Sequence, residues 1–102
     1  MVNETIEVEI QGEKYVMRLI TLADLEEWDD IQARKRSEGL GEGRLAWLNY
    51  RFLLSRCLVN PRKDEDEISR MPIKILQQLM AKLLEASGFP APTISTPTRL
   101  IS

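Results

Sequence analysis

The chain has 102 residues, with 14 basic and 16 acidic side chains, no histidine and one cysteine. That length supports one small core. The lack of histidine excludes imidazole acid–base chemistry and histidine metal ligands, and a lone cysteine excludes an internal disulfide or a cysteine-rich zinc site.

At 43% hydrophobic and 29% charged, the composition is that of a globular chain. The charge is uneven. Residues 1–43 hold 11 acidic and 5 basic side chains, net −6, whereas residues 44–102 hold 5 acidic and 9 basic, net +4. Such polarity favours head-to-tail association of copies or steering of a charged partner, unless the charges simply solvate separate surfaces. The opening Met-Val-Asn-Glu-Thr has neither the basic cluster nor the apolar run of a secretory signal. No stretch approaches the roughly 18 apolar residues of a membrane-spanning helix. A cytoplasmic protein with no membrane contact is expected, with Cys57 a buried apolar residue.

Residues 4–10 alternate strictly, placing Ile6, Val8 and Ile10 on one side and Thr5, Glu7 and Glu9 on the other. This is the period of a half-buried strand. Gly12 supplies the positive φ of a tight turn before a second apolar run, Tyr15 to Ile20, so a β-hairpin is predicted. Because an isolated hairpin is marginal in water, its apolar face must lie on something else.

Thr21 begins a capping sequence with Asp24 at the third helical position. Asp24, Glu26 and Glu27 load the start of the following segment with negative charge, and Arg34, Lys35 and Arg36 load its end with positive charge. Both complement the macrodipole of a helix over about residues 22–37. Its apolar stripe is narrow: Leu22, Leu25, Trp28 and Ile31. Three glycines within Ser37–Gly43 predict a flexible loop. A phosphate loop does not fit, since the segment follows a helix and carries no Gly-Lys-Ser/Thr.

A second helix is predicted from Arg44 to about Val59. Leu45, Leu48, Phe52 and Val59 fall on one side, and Ala46, Trp47, Tyr50, Leu53, Leu54, Cys57 and Leu58 cover a broader one. Only thin polar seams, Asn49 with Arg56 and Arg51 with Ser55, separate them. A helix apolar on most of its circumference is normally central. A hairpin and three helices of this size leave part of it uncovered, so Trp47, Tyr50, Leu54 and Leu58 are the candidate partner-binding residues.

Asn60-Pro61 stops that helix, and Arg62–Glu67 is a charged loop lacking the glycine and downstream glutamate of a calcium loop. Met71-Pro72 opens a third, cleanly amphipathic helix with Ile73, Ile75, Leu76, Leu79, Met80, Leu83, Leu84 and Ala86 on one half, ended by Gly88. Residues 89–102 hold three prolines and one charge, which predicts an extended tail beyond a single domain over 1–88. The expected fold is therefore mainly α: an N-terminal hairpin, three helices and a tail. No convergent reactive groups, metal spacing or cofactor loop stand out, so the chain reads as non-enzymatic, with no cofactor.

The run Tyr15-Val16-Met17-Arg18-Leu19-Ile20-Thr21-Leu22-Ala23-Asp24-Leu25-Glu26-Glu27 after a hairpin turning at Gly12 resembles the opening of tail assembly chaperones of long-tailed bacteriophages and prophages. Ile68-Ser69-Arg70-Met71-Pro72, entering a helix closed by Gly88, resembles their later part, and the likeness spans about residues 6–88 as an order of elements. The resemblance implies a small, mostly helical, non-enzymatic protein. Such a protein binds the long helical tape measure protein during assembly, contacts the tail tube protein and leaves before the virion is finished. It implies self-association for several members and assigns no catalytic residue. Two other readings compete with it. One is a structural head–tail component. The other is a nucleic-acid-binding adaptor using Arg44, Arg51 and Arg56, against which stands a pI near 5.2.

Overall fold

The computed structural model describes residues 4–89. Strands β1 (Thr5–Ile10) and β2 (Glu13–Arg18) form the predicted antiparallel hairpin, with Ile6 opposite Met17 and Val8 opposite Tyr15. Gln11 and Gly12 both take positive φ, 54° and 83°, as a two-residue turn matched to strand twist requires. Val8, Ile10, Tyr15 and Met17 are buried on one face, while Glu7 and Glu9 remain in solvent.

A third strand was not anticipated. Leu58–Asn60 forms β3, which pairs antiparallel with β2 at Met17 and Val16 across a bulge and completes a sheet of order β1-β2-β3. The architecture is thus predominantly helical but mixed α and β, with a three-stranded sheet in place of the expected hairpin alone. Its cause is local. Asn60 precedes Pro61, and the proline ring drives the preceding residue from helical to extended backbone. The chain therefore leaves the helix at Cys57 and spends Leu58–Asn60 satisfying the free edge of β2.

Helix α1 (Leu22–Ser37) starts at Thr21 with the complete capping box: the threonine side chain accepts from Asp24 N, and the Asp24 carboxylate accepts from Thr21 N. Gly39, at φ 97°, ends it with paired bonds, Gly39 N to Arg36 O and Leu40 N to Lys35 O. Only glycine adopts that conformation without penalty, so the expected flexible loop is a defined helix stop. Helix α2 (Glu42–Cys57) follows at once. A short helix α3 (Glu65–Ser69), capped by Asp64 with Glu67, replaces part of the expected charged loop, and α4 (Ile73–Ala86) follows Pro72.

One core unites these pieces. Leu53, Leu54, Cys57 and Leu58 meet Met17, Ile68, Leu79, Met80 and Leu83, each at most 3% exposed. Trp28 of α1 stacks tilted on Phe52 of α2 at 5.8 Å between ring centroids. The segment just past β2 is tied to the C-cap of α4 by Ile20 N donating to Ser87 Oγ at 3.0 Å. Leu22 of the predicted α1 stripe is 70% exposed. The buried group of that first turn is Asp24, held by Arg18 of β2. Of the expected tail, Phe89 is exposed; residues 90–102 lie outside the described residues.

Candidate partner-binding site

The N-terminal half of α2 does not enter the core. Beyond Leu45 it presents Ala46 and Trp47 to solvent and Leu48 half-buried. Ile68 and Ser69 of α3, the connecting Met71, and Ile73 and Leu76 of α4 stand across from it. Between the two walls lies an open groove of about 280 Å³. Ile68 and Leu76 form its buried floor, whereas Trp47 at 45% and Ile73 at 55% exposure stand at its rims. The volume lies just below the roughly 300–1,000 Å³ of small-molecule pockets, and the groove is open rather than enclosing. It has room for the ends of apolar side chains offered by another chain.

Trp47 is braced rather than loose. Its ring meets Tyr50 edge-on, with centroids 5.2 Å apart. Such pairs fix aromatic orientation, and a fixed amphipathic ring loses little entropy when covered.

Two guanidinium groups, Arg44 and Arg51, complete the groove lining, and no carboxylate is part of it. Arg51 Nε lies 3.5 Å from Glu65 Oε1, without hydrogen-bond geometry to any group among the described residues. Arg44 is exposed and makes no ion pair among the described residues. The groove is therefore apolar within and cationic along one wall.

The four sequence candidates separate. Trp47 lines the groove, and Tyr50, half-buried, supports it. Leu54 and Leu58 are 0% and 1% exposed and belong to the core, which corrects their assignment to a surface. They were misplaced because helical periodicity groups residues by angle, and the third strand that seals this end of α2 was not foreseen. The other wall of the groove is not marked by periodicity: Ile73 falls on the apolar half of the third predicted helix beside its core residues, and Met71 falls outside that stripe. The signal for it was the proline at 72, which begins α4 one residue before Ile73 and leaves that side chain beyond the packed region.

The remaining charged clusters offer no reactive constellation. Arg56 pairs with Glu27 and lies 4.9 Å over the Phe52 ring, so it is committed to packing α2 against α1. The open polar recess of Ser55, Arg56, Arg62, Lys63, Asp64, Glu65 and Glu67 mixes both signs. Cys57 is fully buried, and desolvation pushes its thiol up to about 11. Among the described residues no group of three potential metal ligands converges, and no helix is long and apolar enough to cross a membrane. Comparison of the chain with protein-family models, with curated proteins and with solved structures finds no match.

Proposed function

We propose that this protein is a non-enzymatic tail assembly chaperone of the phage or prophage type. It binds a tape measure protein, and contacts the tail tube protein, through apolar helical surface. It acts in the host cytoplasm and associates with copies of itself. The observation that carries this reading is the pair of exposed apolar rims, Trp47 and Ile73, flanking a groove on a domain whose core is already complete without them. Large apolar side chains held at the surface are costly unless another chain covers them. The resemblance of residues 6–88 to tail assembly chaperones supports the class of that chain.

Arg51 and Arg56 each face a carboxylate, which leaves Arg44 as the one member of the basic trio without an ion pair among the described residues. That arrangement favours a protein partner over nucleic acid, which needs several cations free to neutralise phosphates.

Co-expression tests the proposal. The chain should keep the tape measure protein of the same tail soluble and co-purify with it. Trp47→Ala combined with Ile73→Glu should abolish both effects while the far-ultraviolet circular dichroism of the variant stays that of the parent. Recovery of the tape measure protein in the insoluble fraction with the parent chain present would refute it.

A further inference from the structure

We infer that the groove between α2 and the start of α4 docks an amphipathic helix that carries carboxylates beside its apolar stripe. This rests on the reading of that face as the partner-binding face and specifies the chemistry of what it holds.

The walls of the groove favour a helix. One wall is helix α2, and the other is the end of α3, the connecting Met71 and the first turn of α4, so neither wall is a strand. The groove thus offers side chains and no strand edge. An extended peptide laid there would gain no ladder of backbone bonds, whereas a helix satisfies its own backbone and needs only side-chain complementarity. The open edges of the sheet, where a strand would add, lie elsewhere: β1 displays Glu7 and Glu9, and β3 is three residues long. Charged and short edges of that kind resist strand addition.

The charge of the groove favours carboxylates. Arg44 and Arg51 are the ionised side chains of the lining. Arg44 makes no ion pair among the described residues, and Arg51 keeps part of its guanidinium exposed beside its 3.5 Å ion pair with Glu65. A basic helix would be repelled by both guanidinium groups, and a neutral one would cover Arg44 without pairing it. A carboxylate one turn from an apolar anchor meets them while the anchor enters between Trp47 and Ile73.

A second copy of this chain complements the site poorly. Its acidic helix α1 exposes Glu26, Asp29 and Asp30, but its exposed large apolar side chain is Leu22 alone. One anchor at the end of a polar helix does not fill a groove with two apolar rims. The segment 90–102 carries a positive charge, Arg99, and no negative side chain.

The test uses the full chain and two designed 18-residue helical probes. Both carry leucines at i, i+3, i+4 and i+7; one flanks them with glutamates, the other with lysines. By fluorescence anisotropy the glutamate probe should bind at least about tenfold more tightly than the lysine probe, and the preference should shrink as salt rises. Arg44→Glu with Arg51→Gln should abolish the preference, and Ile73→Glu alone should weaken the glutamate probe at least about tenfold. All these positions are at least partly exposed, and circular dichroism verifies the fold of each variant. Equal binding of both probes, no binding of either, or binding that survives Ile73→Glu overturns the inference. So does sedimentation showing that the parent self-associates and that Ile73→Glu makes it monomeric, which would give the groove to a second copy. If the parent captures the tape measure protein and the groove variants capture it equally well, this inference fails and the chaperone reading stands. If the probes behave as stated and the tape measure protein is not captured, the groove stands and the chaperone reading fails.

Discussion

Replacing Asp24 with asparagine isolates the joint that fixes α1 to the sheet. Asp24 is 6% exposed, and its carboxylate accepts from Arg18 Nη1 at 2.8 Å, Arg18 Nη2 at 3.0 Å, Thr21 N at 2.9 Å and Thr21 Oγ1 at 3.1 Å. Oδ2 takes three of these bonds and Oδ1 takes the one from Nη2. An asparagine that keeps its carbonyl at the Oδ2 position retains the cap but turns an amide N–H toward Nη2, donor against donor. One charge-assisted bond is lost and a guanidinium that is one-quarter exposed loses its counter-charge. Bonds to charged groups contribute about 1.5–3 kcal/mol, and Arg18 retains some access to water, so Asp24→Asn should cost about 2 kcal/mol. For a domain of this size that lowers Tm by roughly 8–16 °C.

Urea unfolding of the parent, Asp24→Asn, Arg18→Met and the double variant would give the coupling, expected at about 1–2 kcal/mol. The pH dependence supplies a second readout. The hydrogen bonds from Arg18 hold the Asp24 carboxyl below the usual carboxylate range; burial opposes them and the bonds from Thr21 add to them. A group depressed in the folded state stabilises above its unfolded value, near pH 4. That contribution is lost as the pH falls through the folded value. The gap between parent and Asp24→Asn should therefore narrow from pH 7 to pH 3. A variant within 0.5 kcal/mol of the parent (a limit at the level of ordinary surface changes), a coupling near zero, or a gap equal at both pH values would refute the joint.

Leu54→Ala and Leu58→Ala should each cost about 2–5 kcal/mol in urea unfolding, since both are sealed in the core, whereas Trp47→Ala should cost under about 1 kcal/mol; a Trp47 variant as unstable as the Leu54 variant would place the tryptophan in the core. The Cys57 thiol, fully buried and pushed up to about 11, should react with a disulfide reagent at pH 8 only as fast as the protein opens, so labelling should accelerate with urea along the unfolding curve. Rapid labelling of the native protein would contradict that burial.

What the sequence made legible is what depends on neighbours in the chain. The hairpin follows from strict alternation closed by Gly12, and α1 follows from Thr21 and Asp24, whose reciprocal bonds form as spaced. The inward half of α4 follows from a stripe at helical period, with Leu76, Leu79, Met80 and Leu83 all buried. What escaped depends on residues far apart. Leu58 and Val59 continue the helical pattern of α2, and only the open edge of β2, some forty positions earlier in the chain, turns them into a strand. The spacing places Asp24 in the cap but not against Arg18, which lies on a different element, and nothing in spacing alone brings the two within 2.8 Å. The groove is of the same kind: Trp47 was legible as excess apolar surface, but its opposite wall comes from α3 and α4.

The excess apolar surface of α2 proves to be divided along its length rather than around its circumference. Phe52, Leu53, Leu54 and Cys57, toward its end, are each at most 3% exposed, sealed within the cluster that joins sheet, α3 and α4. Trp47 and Leu48, toward its start, line the groove. One helix thus lies in the core at one end and lines the groove at the other, and the half-buried Tyr50 joins them, touching both Trp47 and the core cluster. Because the core is complete without the groove, a partner that fills it acts on a domain already folded. Binding then adds stability only by mass action, about 2.7 kcal/mol at a hundredfold excess over Kd, with no helix to form and none to displace on this side of the interface. That separation is what a chain needs if it must grip a long helical partner and later release it intact.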